Sequence, residues 1–254
     1  MSPLTIVLIV AIFVLIFILL KYLLSDPYTL QNLQSGKTAS TISASSLANN
    51  NSGISSSNFS YSIWFYINDW NYRYGEPKVL YGRMGGLSEA SSSSLEGVGG
   101  IDPCPTVVLG ASQNNILVAL GCYPGAQQQP TSKNGKTVVH TCSVGNIPIQ
   151  KWVNLAISVY GRTLDIYIDG KLVRTCLLPG VANINNNSNV YVTPSGGFDG
   201  WTSKFQYFPN SINPQDAWNI YVKGYKGNSL FSSSPYQVQL SLITNGTTQS
   251  SITI

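Results

Sequence analysis

Hydrophobic residues form one long run near the N-terminus and then short, alternating groups along the rest of the chain. Residues 4–24, "LTIVLIVAIFVLIFILLKYLL", are apolar up to Lys21 apart from Thr5. A helix of about 20 apolar residues crosses the hydrocarbon core of a bilayer, and it satisfies its own backbone hydrogen bonds there. The pattern predicts that residues 1–25 form a transmembrane anchor.

A cleaved signal peptide is the alternative for this segment. Signal peptides carry basic residues before a shorter apolar stretch and a small-residue cleavage site after it. No Lys or Arg precedes the run and no A-x-A pattern follows it, which favours an uncleaved anchor. Lys21 and Lys37 follow the run, so the positive-inside rule predicts that the C-terminal domain lies on the cytosolic side.

The chain after the anchor changes character twice. Residues 26–57 are rich in Ser, Ala, Thr and Asn, which predicts a polar linker. From residue 58 onward, segments such as "FSYSIWFYI", "NILVALGCY" and "WVNLAISVY" alternate with period two, as β-strands do. Residues 58–254 are therefore predicted to form one β-sandwich domain, with an apolar core face formed by Val153, Leu155, Ile157 and Val159.

Residues typical of tight turns and of helix ends occur at several positions in this domain. Asp169 and Gly170 lie between two strand-like segments and predict a two-residue hairpin turn, because both positions of that turn need φ > 0. "NPQDAWNIYVKG" predicts a short helix with Asn213 as N-cap, proline at the first position, Asp216 in the first turn and Gly224 as the stop. Many short strands and one short helix predict a β-sandwich.

Three segments carry a resemblance to a known fold family. "FSYSIWFYINDW…KVLYGR", "WVNLAISVYGRTLDIYIDGKLV" and "GFDGWTSKFQYFPNSINPQDAWNIYVKG" resemble, in this order, laminin-G-like domains. The resemblance covers residues 58–224. It implies an all-β, concanavalin A-like (laminin-G-like) jelly-roll β-sandwich, here with one N-terminal transmembrane helix.

An anchored domain of this kind, with a first strand rich in Tyr and Asn, also resembles minor capsid proteins of nucleocytoplasmic large DNA viruses. That resemblance implies a structural virion protein that links the inner membrane to the capsid shell, with other capsid proteins as partners. A membrane-tethered, carbohydrate-binding, lectin-like module is the alternative, and a glycoside hydrolase is a distant third. The fold does not separate these functions, because it hosts many.

Charge and catalytic patterns exclude several function classes. Only 9% of the residues are charged, and the net charge of +4 is spread without a basic cluster, so nucleic acid is not a predicted partner. Hydrolases of this fold place two Glu and an Asp at alternate positions of one strand, but the sequence has no E-x-D-x-E. Asp165 and Asp169 flank Tyr167, His140 is the single histidine, and no G-x-S-x-G is present. We predict that the protein is not an enzyme.

Calcium is the one cofactor that the resemblance suggests, since laminin-G-like domains often bind it. Calcium takes six to eight oxygen ligands, usually with several carboxylates. The candidates Asp69, Asp102, Asp199 and Asp216 are scattered in the sequence. No cofactor or metal ligand is therefore predicted, and calcium stays an open alternative.

The cysteines Cys104, Cys122, Cys142 and Cys176 allow three disulfide pairings. If the hairpin between the first two centres on Gln113, then Cys104 and Cys122 lie directly opposite each other. A slip of one residue breaks that match. Cys104–Cys122 is the possible disulfide on this argument, and buried thiols are the alternative.

Aromatic residues are concentrated in "WFYINDWNYRYG", residues 64–75. Its first half continues a strand and belongs to the core. Its second half, with Trp70, Asn71, Tyr72, Arg73 and Tyr74, is predicted to be an interaction surface, since Tyr and Arg are enriched at interface hot spots. We expect this loop to contact a neighbouring protein, whereas the lectin alternative assigns it to a glycan.

Overall fold

The computed structural model describes most of the chain, namely residues 3–23, 26–47, 57–84, 103–126, 128–131, 136–226, 239–244 and 247–253. Two compact units are present: Tyr28–Tyr225, and a second unit made of Met1–Pro27 and Lys226–Ile254. In chain order the elements are α1 (Pro3–Leu23), β1 (Thr29–Gln31), β2 (Gln34–Ser35), β3 (Ser40–Ile42), a 3-10 helix (Ala44–Leu47), β4 (Phe59–Asp69), β5 (Lys78–Arg83), β6 (Thr106–Leu109), β7 (Asn115–Cys122), β8 (Val138–Gly145), β9 (Trp152–Tyr160), β10 (Thr163–Ile168), β11 (Lys171–Leu177), β12 (Val190–Val192), β13 (Asp199–Phe208), α2 (Pro214–Val222), β14 (Gln239–Thr244) and β15 (Thr247–Thr253).

The unit Tyr28–Tyr225 is a sandwich of two antiparallel sheets. The large sheet has the strand order β1-β13-β4-β9-β10-β11, with β2 also paired to β13. The small sheet has the order β3-β12-β5-β6-β7-β8. Buried apolar side chains from both sheets form one cluster between them, including Tyr61, Phe65, Leu80, Val118 and Leu155. The predicted all-β sandwich is confirmed.

Strand β9 shows how this sheet is covered on both faces. Val153, Leu155, Ile157 and Val159 are completely buried in the core, as their alternation predicts. The middle of the opposite face is buried as well, because α2 packs across it. There, Ala156 on β9 and Tyr167 on β10 pack against Ala217 of the helix in a second, smaller apolar cluster.

Helix α2 begins and ends where its capping residues predict. The Asn213 side chain accepts a hydrogen bond from the Asp216 backbone N–H at 2.9 Å, and the Asp216 carboxylate accepts one from the Asn213 N–H at 3.0 Å. This reciprocal capping box satisfies two backbone donors that a helix start leaves without an intrahelical partner. Gly224, with φ of 70°, turns the chain away after the last helical turn.

The polar segment predicted as a linker contributes short strands to both sheets. Strands β1 and β2 pair with β13, and β3 pairs with β12. Leu30 and Ile42 pack against the core, and Leu47 is buried in it. Backbone groups make the ladder bonds of an edge strand, so a polar composition does not prevent pairing. Residues 48–56 of the predicted linker lie outside the described residues.

The predicted anchor is helical, as α1, and the last residue of the predicted span lies outside the described residues. Side chains are described in it for Leu8 and residues 10–19, and the large apolar ones are 46% to 69% exposed. Counting only residues whose side chains are described, no helix reaches the length and apolar character of a membrane span. Strands β14 and β15, in the same unit, form an antiparallel pair.

The disulfide joins Cys142 on β8 to Cys176 on β11, with their Cα atoms 6.3 Å apart. It therefore ties an edge strand of the small sheet to an edge strand of the large one. The predicted Cys104–Cys122 disulfide is wrong, and both residues are buried thiols. Burial raises the pKa of the Cys122 thiol to about 12.

The register between β6 and β7 explains why Cys104 and Cys122 do not form a disulfide. Leu109 on β6 pairs with Ile116 on β7, so the hairpin centres between two residues rather than on Gln113. Continuing this register places Cys104 opposite Gly121, whose N–H donates to the Pro103 carbonyl at 2.6 Å. A Cys104–Cys122 disulfide would need Cys104 opposite Cys122, and the observed register differs from that pairing by one residue.

Candidate functional site

A row of three aromatic side chains crosses the outer face of the large sheet. Trp201 on β13 pairs with Tyr66 on β4, and Tyr66 pairs with Trp152 on β9. Directly paired residues of antiparallel strands point to the same face. Since Phe65 and Ile67, the neighbours of Tyr66, point into the core, the row points outward. Trp201 is 48% exposed and the other two are partly exposed. We call Trp201, Tyr66 and Trp152 the aromatic row.

Helix α2 and the turn after it cover the sheet up to the edge of this row. Trp64, two residues before Tyr66, is buried and stacks on Tyr221 of α2 with ring centroids 5.6 Å apart. After the helix, Tyr225 stacks on Trp152 at 4.3 Å with an angle of 10° between the planes. The row is thus bounded on the α2 side by the Tyr225 ring and is open at Trp201.

The position of Tyr225 is held by β13. The Ser203 hydroxyl donates to the Tyr225 carbonyl at 2.8 Å, and the Lys204 ammonium donates to the Gly224 carbonyl at 3.4 Å. Both bonds attach the turn after α2 to the strand that also carries Trp201. Strand β13 therefore carries Trp201 and also holds the backbone of Tyr225 in place.

The hairpin turn at Asp169 and Gly170 supports α2 from the other side. The two residues have φ of 50° and 73°, as this turn requires. The Asp169 carboxylate accepts the backbone N–H of Asn154 at 2.9 Å and pairs with Lys151 at 3.2 Å. A Cβ on Gly170 would lie 3.1 Å from the Cα of Trp218, so the helix packs directly on this turn.

Polar side chains adjoin the aromatic row one step further along the same two strands. Asn68 follows Tyr66 by two residues on β4, and Asp199 precedes Trp201 by two on β13. The Asn68 amide donates to the Asp199 carboxylate at 2.9 Å, and the Lys37 ammonium pairs with the same carboxylate at 2.6 Å. We call Lys37, Asn68 and Asp199 the polar end of the row.

Lys37 and Asp199 at the polar end form an ion pair, and the exposed Asp69 carboxylate lies close enough to act on Lys37. Hydrogen bonds from Lys37 and then from Asn68 hold the pKa of Asp199 below its usual value, so the carboxylate is ionised at neutral pH. The hydrogen bond to Asp199 in turn raises the pKa of Lys37. The cluster therefore presents an ammonium, an amide and a carboxylate beside the aromatic row with their opposite charges paired.

The loop predicted as an interaction surface lies next to this polar end but mostly makes contacts within the sandwich. The Tyr72 hydroxyl donates to the Gly196 carbonyl at 3.2 Å, and the Lys37 ammonium lies 4.7 Å from the centroid of the Tyr72 ring. Arg73 donates to the Ser195 carbonyl and pairs with Glu76 at 2.7 Å. These two side chains position the loop and Lys37.

The other three predicted loop residues divide between core and solvent. Trp70 packs against the core, with the Lys78 ammonium 5.2 Å from its ring centroid. Tyr74 is 62% exposed, and Asn71 is also exposed. An aromatic surface based on this loop would therefore have one exposed tyrosine. The aromatic row was missed because its members come from three strands, although each is an aromatic residue at an outward position of its strand.

The residues weighed as catalytic or metal-binding candidates have other surroundings. Asp216 caps α2. Asp69 lies opposite Asp199 in the backbone ladder between β4 and β13. Asp102 lies outside the described residues. His140 is a partly buried residue of β8, where desolvation lowers its pKa. Within the described ranges, no three His, Cys, Asp or Glu side chains are grouped so that they could hold a metal ion.

Comparisons with known proteins find structural likeness without sequence relatives. No family model matches this sequence, and no curated protein matches it. Among similar solved structures, the binding domain of botulinum neurotoxin DC in complex with SialylT has 15% identity and a TM-score of 0.45, covering 65% of this chain and 35% of that one. The receptor binding domain of botulinum neurotoxin D has 15% identity and a TM-score of 0.49, covering 77% and 52%.

A third structure, the botulinum neurotoxin serotype D ligand binding domain in complex with N-acetylneuraminic acid, has 15% identity and a TM-score of 0.48, covering 77% of this chain and 50% of that one. The chain thus spans between about a third and a half of the length of these domains. Similarity at this level does not transfer a function from them to this chain.

Proposed function

We propose that this protein is a glycan-binding module whose site is formed by the aromatic row and its polar end. The observation that carries the proposal is that both lie side by side on one solvent-facing part of the large sheet. Tyr and Trp rings present an apolar surface on which the C–H face of a sugar stacks. A few placed polar groups then fix the orientation of a ligand, and Lys37, Asn68 and Asp199 supply both donors and acceptors for hydroxyl groups.

The dimensions of the row favour an oligosaccharide over a single sugar. Neighbouring strands are about 4.8 Å apart, so Trp201 and Trp152, separated by β4, are about 10 Å apart. That distance accommodates two consecutive sugar rings. Because Lys37 is already paired with Asp199, the polar end favours neutral hydroxyl groups over an anionic sugar.

Replacing Trp201 with alanine tests this function. We expect the full-length protein, held in detergent, to bind a subset of neutral oligosaccharides on a glycan array. Titration calorimetry with the best ligand should show that Trp201→Ala weakens binding at least about tenfold, since an aromatic ring that the bound ligand covers contributes about 1–2 kcal/mol.

Tyr160→Ala is the matched control, because Tyr160 is an aromatic residue of β9 that is 67% exposed and lies at the far end of the strand from Trp152. Its affinity should equal that of the wild type. An array without any bound glycan, or equal affinities of the Trp201 variant and the wild type, would contradict the proposal.

The lectin-like alternative is therefore the function that we propose, in place of the minor capsid interpretation. The paired charges and exposed rings of the site suit a hydroxyl-rich ligand, and no described contact points specifically to a capsid shell. Residence in a virion, capsid partners and a cytosolic orientation of the sandwich stay predictions from the resemblance.

We further propose that α1 anchors the protein in a membrane. Its described side chains, Leu8 and residues 10–19, include no charged residue, and the large apolar ones are exposed. Exposing apolar side chains to hydrocarbon is favourable, whereas exposing them to water is unfavourable. In detergent phase separation the full-length chain should enter the detergent phase, and a variant that lacks residues 1–27 should enter the aqueous phase. A full-length chain in the aqueous phase would overturn the anchor.

A further inference from the structure

Strand β11 forms one edge of the large sheet. It pairs with β10 on one side, and no strand within the described ranges pairs with its other side. All of its residues except Cys176 are exposed, among them Leu172 (49%), Val173 (46%) and Leu177 (72%). A strand edge presents unpaired backbone N–H and C=O groups, which readily accept another strand.

A cleft of about 340 Å³ adjoins this edge, between β11 and β8 of the other sheet. Val144, Ile147 and Ile168 line it with apolar surface, and Val173 and Arg174 line it from β11. The Cys142–Cys176 disulfide joins the same two strands and so fixes one end of the opening. The sandwich is therefore open at this edge, with a cleft whose lining also includes the polar residues Ser143 and Asn146 beside an exposed strand.

Positive charge at this edge has no partner among the described residues. Neither Lys171 nor Arg174 forms a salt bridge there. Of the carboxylates nearest in sequence, Asp165 accepts a hydrogen bond from the Thr175 hydroxyl of β11 at 2.6 Å, and Asp169 pairs with Lys151. A guanidinium presents a planar set of donors that matches a carboxylate.

We propose that β11 and its cleft bind an extended, acidic segment of a partner protein, which adds to the large sheet as a further strand. Backbone hydrogen bonds to β11 would hold the segment, and alternate side chains would give specificity. An aliphatic side chain fits against Val144 and Ile168 in the cleft, and the carboxylate of a neighbouring acidic residue fits Arg174.

Two other occupants fit this surface less well. In a second copy paired antiparallel through β11 and centred between Leu172 and Val173, Lys171 of one copy would lie opposite Arg174 of the other, which adds like-charge repulsion. A small ligand would fill the cleft but would leave the backbone edge without hydrogen-bond partners. The proposed site is also separate from the glycan site, whose aromatic row lies on β13, β4 and β9.

Fluorescence anisotropy with three labelled peptides tests the proposal on the full-length protein. The acidic probe alternates Glu and Val over eight residues, the basic probe alternates Lys and Val, and the third is the acidic probe with alternate amides N-methylated. We expect the acidic probe to bind with a Kd below about 1 mM and at least about tenfold tighter than the other two. Arg174→Glu should reverse the preference towards the basic probe.

Lys223→Glu is the control variant, because it makes the same charge change at an exposed residue just after α2. It should leave the affinities for all three peptides unchanged. Equal binding of the N-methylated probe would overturn strand addition. Failure of the acidic probe to bind, or an affinity that Arg174→Glu does not change in a variant with the wild-type melting temperature, would overturn the site.

Discussion

Replacing Gly200 with alanine is expected to destabilise the sandwich by on the order of 3 kcal/mol or more. Gly200 lies between Asp199 and Trp201, and its φ of 154° belongs to a region that side chains rarely occupy. A Cβ there would overlap the carbonyl oxygen of Tyr66 and lie 2.9 Å from the Phe198 ring. Since the backbone oxygen cannot move without breaking the ladder between β13 and β4, the two strands must separate locally.

Urea unfolding of the full-length protein measures this effect. Gly161→Ala is the matched control, because Gly161 also has a positive φ, of 55°, but nothing lies within 4 Å of its Cβ position. The control should cost only about 1–2 kcal/mol, which is the cost of the left-handed backbone alone. If the two variants have the same urea midpoint of unfolding, the backbone of Tyr66 does not lie as close to Gly200 as described. Glycan binding should fall with Gly200→Ala, because it displaces Trp201 relative to Tyr66.

Removing the Cys142–Cys176 disulfide is expected to cost about 2–4 kcal/mol of unfolding free energy. The bond closes a loop between residues that are 34 positions apart, and cross-links of this length substantially restrict the unfolded chain. It also joins β8 and β11, which belong to different sheets and share no backbone ladder. The double variant Cys142→Ala/Cys176→Ala should therefore unfold at lower urea concentration, and reducing agent should lower the wild-type midpoint to a similar value.

Thiol alkylation of the unfolded, unreduced protein identifies the pairing independently. Alkylation should modify Cys104 and Cys122 before reduction and all four cysteines after it. Cys122→Ala is the control for the loss of a buried cysteine: it should cost about 1 kcal/mol from the cavity and should remain sensitive to reducing agent. Alkylation of Cys142 without reduction, or a wild-type midpoint that reducing agent does not move, would disprove this disulfide.

The candidate site depends on the same strand geometry that these variants perturb. Trp201, Tyr66 and Trp152 lie on three adjacent strands that are far apart in the chain, and Gly200 permits the close pairing that aligns the first two. The cleft beside β11 depends likewise on the disulfide that links its two walls. Stability and binding measurements on one set of variants therefore test the same strand pairings.

Local signals determined the fold class and several individual elements. Alternation of apolar and polar residues predicted the core face of β9, because successive side chains of a strand point to opposite sides. The Asn213 cap, the stop at Gly224 and the turn at Asp169 and Gly170 followed from chemistry within a few residues of each position. Such features need no knowledge of what packs against them.

Only the tertiary structure decided which distant segments meet. Composition assigned residues 26–57 to a linker, yet strands β1, β2 and β3 pair with both sheets, because ladder bonds are made by the backbone. The disulfide was decided by a register that differs by one residue from the one that a Cys104–Cys122 bond needs. The aromatic row became a candidate site because α2 covers Trp64 and leaves Trp201 exposed. Alternation along a strand is local, whereas register, strand order and cover depend on contacts between segments far apart in the chain.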